Sequence, residues 1–109
     1  MFSSLFGNAT AEKALLYIAN YGEGHARAIA TNFHLSASQV SLQLHRLEEG
    51  GILVSKTVGK TKVFLINPRL GIKNSLLELL ENILRLMDES EKQKYYRQRT
   101  RPRKTGKSL

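Results

Sequence analysis

The 109 residues allow one domain and at most a tail. No cysteine occurs, which excludes disulfides and thiolate metal sites, and no run of roughly 18 or more apolar residues occurs, which excludes a membrane-spanning helix. The formal charge of +8 is concentrated: from Lys92 to the end there are eight basic residues and no acid, while residues 1–91 set nine Lys and Arg against nine Asp and Glu. So dense a block of like charge is expected to stay disordered and to serve as an interaction arm. The chain therefore divides into a body, 1–91, and a basic tail, 92–109. Residues 1–7 lack a basic start and a cleavage pattern, so a cytoplasmic protein with no membrane partner is expected.

Taken in order, Phe2, Leu5 and Phe6 crowd a short terminus and predict packing against another element. Asn8 or Thr10 is suited to cap a helix running to about Asn20, with Ala11, Ala14, Leu15 and Ile18 on its buried face. Tyr21-Gly22-Glu23-Gly24 is turn chemistry. A second helix over 26–33 turns Ala26, Ile29, Ala30 and Phe33 inward. Only His34-Leu35 separates it from the next helix, which is helix-turn-helix spacing. So short a reversal needs a left-handed residue, and His34 is predicted at positive φ, where histidine is tolerated better than most side chains.

The third helix, from Ser36 as its cap to a glycine stop at Gly50 or Gly51, carries two stripes. Ala37, Val40, Leu44 and Leu47 recur at helical period and predict a core face. Gln39, Leu42, Gln43 and Arg46 form a second stripe that cannot share that core. Carboxamides and a guanidinium pair bidentately with adenine and guanine edges, and Leu42 suits a thymine methyl. With Ser38 and Ser41 these residues are the candidate base readers. Two β-branched runs follow, Ile52–Val58 and Thr61–Ile66, with Gly59-Lys60 as a tight hairpin loop. Lys56, Lys60, Thr61 and Lys62 surround its tip, as expected of a basic wing that meets phosphates.

A long helix is predicted from about Ile72 past Met87. Leu76, Leu79, Ile83 and Leu86 make one heptad-like seam, and Leu77, Leu80, Leu84 and Met87 make a second beside it. Two adjacent seams predict one packed on the body and one on a second copy, with Leu76, Leu79, Leu80, Ile83, Leu86 and Met87 as candidate dimer residues. Beyond Asp88 the apolar pattern stops. Tyr95-Tyr96 either stack on bases or end the helix, and Pro102 and Gly106 mark the tail as structureless. Arg97, Arg99, Arg101, Arg103 and Lys104 are expected to add phosphate contacts without sequence choice.

The pattern S-x-S-x-V-S-x-x-L-x-x-L-E-E-x-G-I-L over Ser36–Leu53 resembles the recognition helix of arsenic-repressor-like (ArsR-type) winged helix-turn-helix regulators. Leu5-Phe6-Gly7-Asn8-Ala9-Thr10 and Ile66-Asn67-Pro68-Arg69 are similar to segments of the same family, so the resemblance runs from about Leu5 to Met87. Many relatives have glycine where His34 stands. The resemblance implies a mainly α fold with a small β-hairpin, a winged helix-turn-helix with a long C-terminal dimerisation helix. It also implies a homodimer that binds double-stranded DNA and regulates transcription, most simply as a repressor. Two such units predict half-sites about 34–36 Å apart.

Metal sensors of that family carry cysteine or clustered His and acidic ligands. His25, His34 and His45 do not stand at ligand spacing, so no metal and no other cofactor is expected. Gly106-Lys107-Ser108 lacks the first glycine of a phosphate-binding loop, because Arg101 stands there. Glu48-Glu49 read as solvated charge, and no nucleophile–base set points to an enzyme. Two other readings stay open: a protein-interaction module that uses the winged helix as scaffold, and RNA binding led by the tail.

Overall fold

A computed structural model describes residues 2–97. The elements are α1 (Ser3–Phe6), α2 (Ala9–Tyr21), α3 (Ala26–Phe33), α4 (Ala37–Glu49), β1 (Leu53–Val58), β2 (Thr61–Ile66), α5 (Lys73–Leu86), α6 (Glu89–Glu91) and a π-helical turn, Lys92–Tyr96. The fold is a winged helix-turn-helix, mainly helical with one two-stranded hairpin, as the sequence predicts. No described helix is long and apolar enough to cross a membrane.

Helix α2 is the centre of the body. Asn8 starts it, its Oδ1 accepting the Ala11 amide at 2.8 Å. Ala11, Ala14, Leu15 and Ile18 are buried as expected, and so are Leu16, Tyr17 and Glu12, because other elements surround this helix on most sides. The Phe2 amide donates to the Glu12 carboxylate at 2.8 Å. Phe2 and Phe6 pack at the edge of the core, but Leu5 is 62% exposed and does not join them.

His25 caps α3 through Nδ1, which accepts the Ala28 amide at 3.2 Å. The helix ends where His34 takes φ 59° and ψ 46°, the left-handed conformation predicted for it. Leu35 N–H reaches back to the Ala30 carbonyl at 2.8 Å and His34 N–H to Thr31 at 3.4 Å, the paired bonds of a Schellman stop. Ser36 caps α4, its Oγ accepting the Gln39 amide at 3.3 Å. Gly51, at φ 81°, terminates it by the same device.

The strands pair antiparallel with Val58 opposite Thr61, and Gly59 alone supplies positive φ in the two-residue loop. A third partner, in a segment whose sequence predicts only a turn, joins the other edge of β2. Gly24 and Phe64 exchange both backbone hydrogen bonds, at 3.0 and 2.8 Å. A Cβ on Gly24 would lie 2.8 Å from the Tyr17 ring, so only glycine fits that bridge.

The C-terminal helix corrects one expectation. Leu80, Ile83 and Met87 are buried within the core of their own chain and cannot also form a seam with another. Leu76 is half-buried against the same core. Burying each such side chain stabilises the fold by about 1.5–3 kcal/mol, which fixes this face inward. Of the six candidate dimer residues, Leu79 and Leu86 remain exposed, together with Ile72.

A second correction concerns the boundary at Lys92. Asp88 caps the short α6, its Oδ1 accepting the Ser90 amide at 3.3 Å, and the chain folds back on α2 and α3. Tyr96 is buried, and the rings of Tyr95 and Tyr96 lie 5.3 and 5.6 Å from that of Phe33. The Tyr95 carbonyl accepts from the Tyr21 hydroxyl at 2.9 Å and from Asn32 at 3.1 Å, and the Tyr96 carbonyl accepts from Asn20 at 2.7 Å. The tyrosine pair therefore belongs to the core and is not available for stacking on bases.

Candidate nucleic-acid interface

The outer face of α4 exposes Ser38, Gln39, Leu42, His45 and Arg46, with Leu42 57% accessible. Val40 and Leu44 are fully buried beneath and Leu47 is half-buried, but Ala37, expected inside, faces solvent in the first turn.

Gln43 departs from its predicted place. It is only 7% exposed, because its carboxamide turns toward the start of α2. Its Oε1 accepts from Asn8 Nδ2 at 3.1 Å and from Arg46 Nε at 3.0 Å. The Arg46 guanidinium also donates to the Phe6 carbonyl at 3.3 Å. Gly7, at φ 100°, gives it room, since a Cβ there would come within 3.1 Å of Nη2. A carboxamide oxygen already holding two donors in a buried site has nothing left to offer a base. Arg46 stays accessible, but it is drawn back toward the N-terminal turn.

Ser41 is half-buried, and its carbonyl lies 2.8 Å from His45 Nδ1. A carbonyl only accepts, so Nδ1 carries the hydrogen and Nε2 of the neutral ring is an acceptor, 3.3 Å from Lys62 Nζ. The His45 ring also meets Phe64 edge-on at 5.6 Å. His45 is not among the residues that the sequence predicts for the site. Its signal was positional: Ser38, Leu42 and His45 share one helical column, and His45 ends that column against the wing.

The hairpin carries Lys56, Lys60, Thr61 and Lys62, all exposed. Two of the lysines are engaged within the chain. Lys56 pairs with Glu23 at 3.1 Å and Lys62 with Glu48 at 3.2 Å, while Lys60 at the tip has no carboxylate partner among the described residues. Glu48 is thus not simple solvated charge. Its other oxygen accepts from the Ser55 hydroxyl at 2.6 Å, and that hydroxyl, ahead of Lys62, holds the carboxyl below the usual range.

Arg97, the last described residue, pairs with Glu89. Arg99, Arg101, Arg103 and Lys104 lie outside the described residues. His25 caps a helix, His34 makes a turn and His45 meets Lys62; among the described residues no three His, Asp or Glu side chains gather where one metal ion would reach them.

The structure is similar to that of AntR, an antimony-specific transcriptional repressor, at 26% identity and a TM-score of 0.62 over 82% of this chain and 76% of that one. It is also similar to a MarR-family transcriptional regulator from Rhodococcus sp. RHA1, at 16% identity and a TM-score of 0.57 over 81% and 69% of the two chains. YusO from Bacillus subtilis stands at 18% and 0.56, with the same coverage of 81% and 69%. At such low identities the last two likenesses show the fold alone. No protein-family model matches the sequence, and no curated protein matches it. The fold is that of winged-helix transcriptional regulators.

Proposed function

We propose that the protein is a sequence-specific, double-stranded-DNA-binding transcriptional regulator of the ArsR type, a homodimeric repressor and not an enzyme. The outer face of α4 carries this reading. Ser38, Gln39 and Leu42 stand together in solvent, the Gln39 side chain has no partner among the described residues, and a lysine-bearing hairpin stands beside them. Burying such a face against water gains little, whereas a carboxamide beside an apolar group matches an adenine–thymine edge in the major groove. Lys56, Lys60, Thr61 and Lys62 then meet phosphates, which position the protein and add affinity. Arg97 and the basic residues that follow it add further phosphate contacts.

The dimer rests on what α5 leaves outside. Ile72 at its N-cap and Leu79 and Leu86 within it recur every seventh residue, 59%, 39% and 69% exposed. A second copy covers them, placing two α4 helices about 34–36 Å apart on one DNA face. The ArsR assignment rests on the Ser36–Leu53 pattern. Nothing of the antimony response named for AntR is carried over, since soft metalloids favour thiolates and the sequence has no cysteine. A cytoplasmic location follows from the same reading.

Selection of bound duplexes from a random pool with the full chain tests the proposal. Enrichment of a twofold-symmetric sequence is the expected result. A monomer that enriches nothing would point to a protein-interaction module. Preference for RNA with indifference to Gln39→Ala would point to binding led by the tail.

A further inference from the structure

The wing presents less positive charge than its lysines suggest, and the residue chiefly responsible lies on the recognition helix itself. Glu48, on the last turn of α4, touches both strands of the hairpin, accepting from Ser55 of β1 at 2.6 Å and pairing with Lys62 of β2 at 3.2 Å. Lys62 is further directed by His45, one turn back on the same helix, whose Nε2 lies 3.3 Å away, and its ammonium sits 5.4 Å from the centre of the Phe64 ring. The geometry that an ammonium would find at a DNA phosphate, an anionic oxygen near 3 Å, is already supplied from within the chain. Glu23 repeats the arrangement at Lys56, 3.1 Å away.

We propose that Glu48 is an affinity-setting residue, an internal stand-in for a backbone phosphate that competes with DNA for Lys62. This deepens the function proposed above and rests on the wing meeting phosphates there. While the carboxylate stays within reach, the Lys62–Glu48 pair presents almost no net charge to the duplex. Binding then neutralises fewer phosphates than the wing has lysines, and less counterion is released. The competition concerns the backbone alone, so it scales the affinity for every duplex alike and leaves base choice to α4. The adjacent Glu49 provides the control. It is exposed, carries the same charge on the same helix, and has no ion pair among the described residues.

The test measures the salt dependence of binding of the full chain to its selected duplex and to a random-sequence duplex, for wild type, Glu48→Gln, Glu49→Gln, Lys62→Ala and the Glu48→Gln/Lys62→Ala double variant. Gln keeps the acceptor for Ser55, and a thermal melt of each variant confirms that it is folded. Glu48→Gln should tighten both duplexes and steepen the slope of log affinity against log salt by up to about 0.9 beyond Glu49→Gln. Between about 200 and about 50 mM salt its affinity should then grow about 3.5-fold more than that of the Glu49 variant. In the Lys62→Ala background the advantage should vanish. Equal slopes for the two glutamate variants, or a gain that survives loss of Lys62, would overturn the proposal. So would weaker binding by Glu48→Gln, because the pair would then be holding the wing in its binding position. If the wild type itself binds no duplex, the proposed function fails, an outcome distinct from equal slopes among proteins that do bind.

Discussion

Asn8 donates its side-chain amide to Gln43 Oε1 across 3.1 Å, so the residue that starts α2 also holds the middle of α4. Two elements far apart in sequence are registered by one carboxamide, and α4 is anchored from behind.

Gln43→Ala should therefore act on stability. It strands the amide of Asn8 and the Nε of Arg46 in a half-buried site, at a cost of about 1–3 kcal/mol. Urea unfolding should show that loss, while selection from a random pool returns the wild-type sequence. Gln39→Ala should do the reverse, leaving unfolding within about 0.5 kcal/mol of wild type. It should cost about 1–3 kcal/mol on the preferred duplex and relax choice at one base pair.

His34→Gly should be neutral or stabilising by up to about 1 kcal/mol, because glycine adopts φ 59° without the strain a Cβ imposes. His34→Val should destabilise clearly, since a β-branched residue there is a steric outlier. Thermal melting of the two variants beside wild type checks both signs.

Ile83→Asp should unfold the chain, placing a carboxylate in a fully packed core at a cost of several kcal/mol. Leu86→Glu changes a residue that is 69% exposed and should leave the melting curve of the body nearly unchanged while splitting the proposed dimer. Sedimentation together with circular dichroism separates the two effects. A dimeric Leu86→Glu protein would show that α5 joins its partner elsewhere.

Burial raises the Tyr96 phenol, with Glu91 and Glu12 adding to the effect, and burial likewise raises Tyr17. The folded state holds these protons more tightly than the unfolded chain, whose tyrosines titrate near pH 10. The stability they contribute is complete below about pH 10 and is lost as pH climbs toward the folded values. Tyr96→Phe should match wild type at neutral pH and lose less stability in alkali, as denaturant melts across that range would show. A chain ended after Glu91 loses the packed turn and should be less stable.

Much of this could be read from the residues in order. Periodicity located α2 to α5, a two-residue connection required the left-handed His34, and Gly59-Lys60 set the hairpin register. Local pattern carries such features. What escaped were contacts between distant segments. Gln43 shares the polarity of its neighbour Gln39 on the exposed stripe, and only the arrival of Asn8 decides that one faces inward. Two leucine seams on α5 look equivalent until the core covers the second of them together with Leu76 and Ile83 of the first, leaving Leu79 and Leu86 outside. Tyr95 and Tyr96 sit in a run of Lys and Gln with no apolar period, and their burial depends on Phe33 and on three donors from α2 and α3 meeting two carbonyls.

The bridge between Gly24 and Phe64 gives the wing the mechanics of a cantilever. Its root is clamped where β2 is paired on both edges, and from Phe64 to Lys60 four residue steps project roughly 13 Å with a partner on one edge only. A small rotation about the root would sweep the tip through a wide arc while Phe64, packed in the core, stayed still. The Glu23–Lys56 pair, one residue from the clamp on the body side, is the strut of this beam. Removing it should leave α4 in place, free the Lys56 ammonium and loosen the hold on the hairpin that presents Lys60.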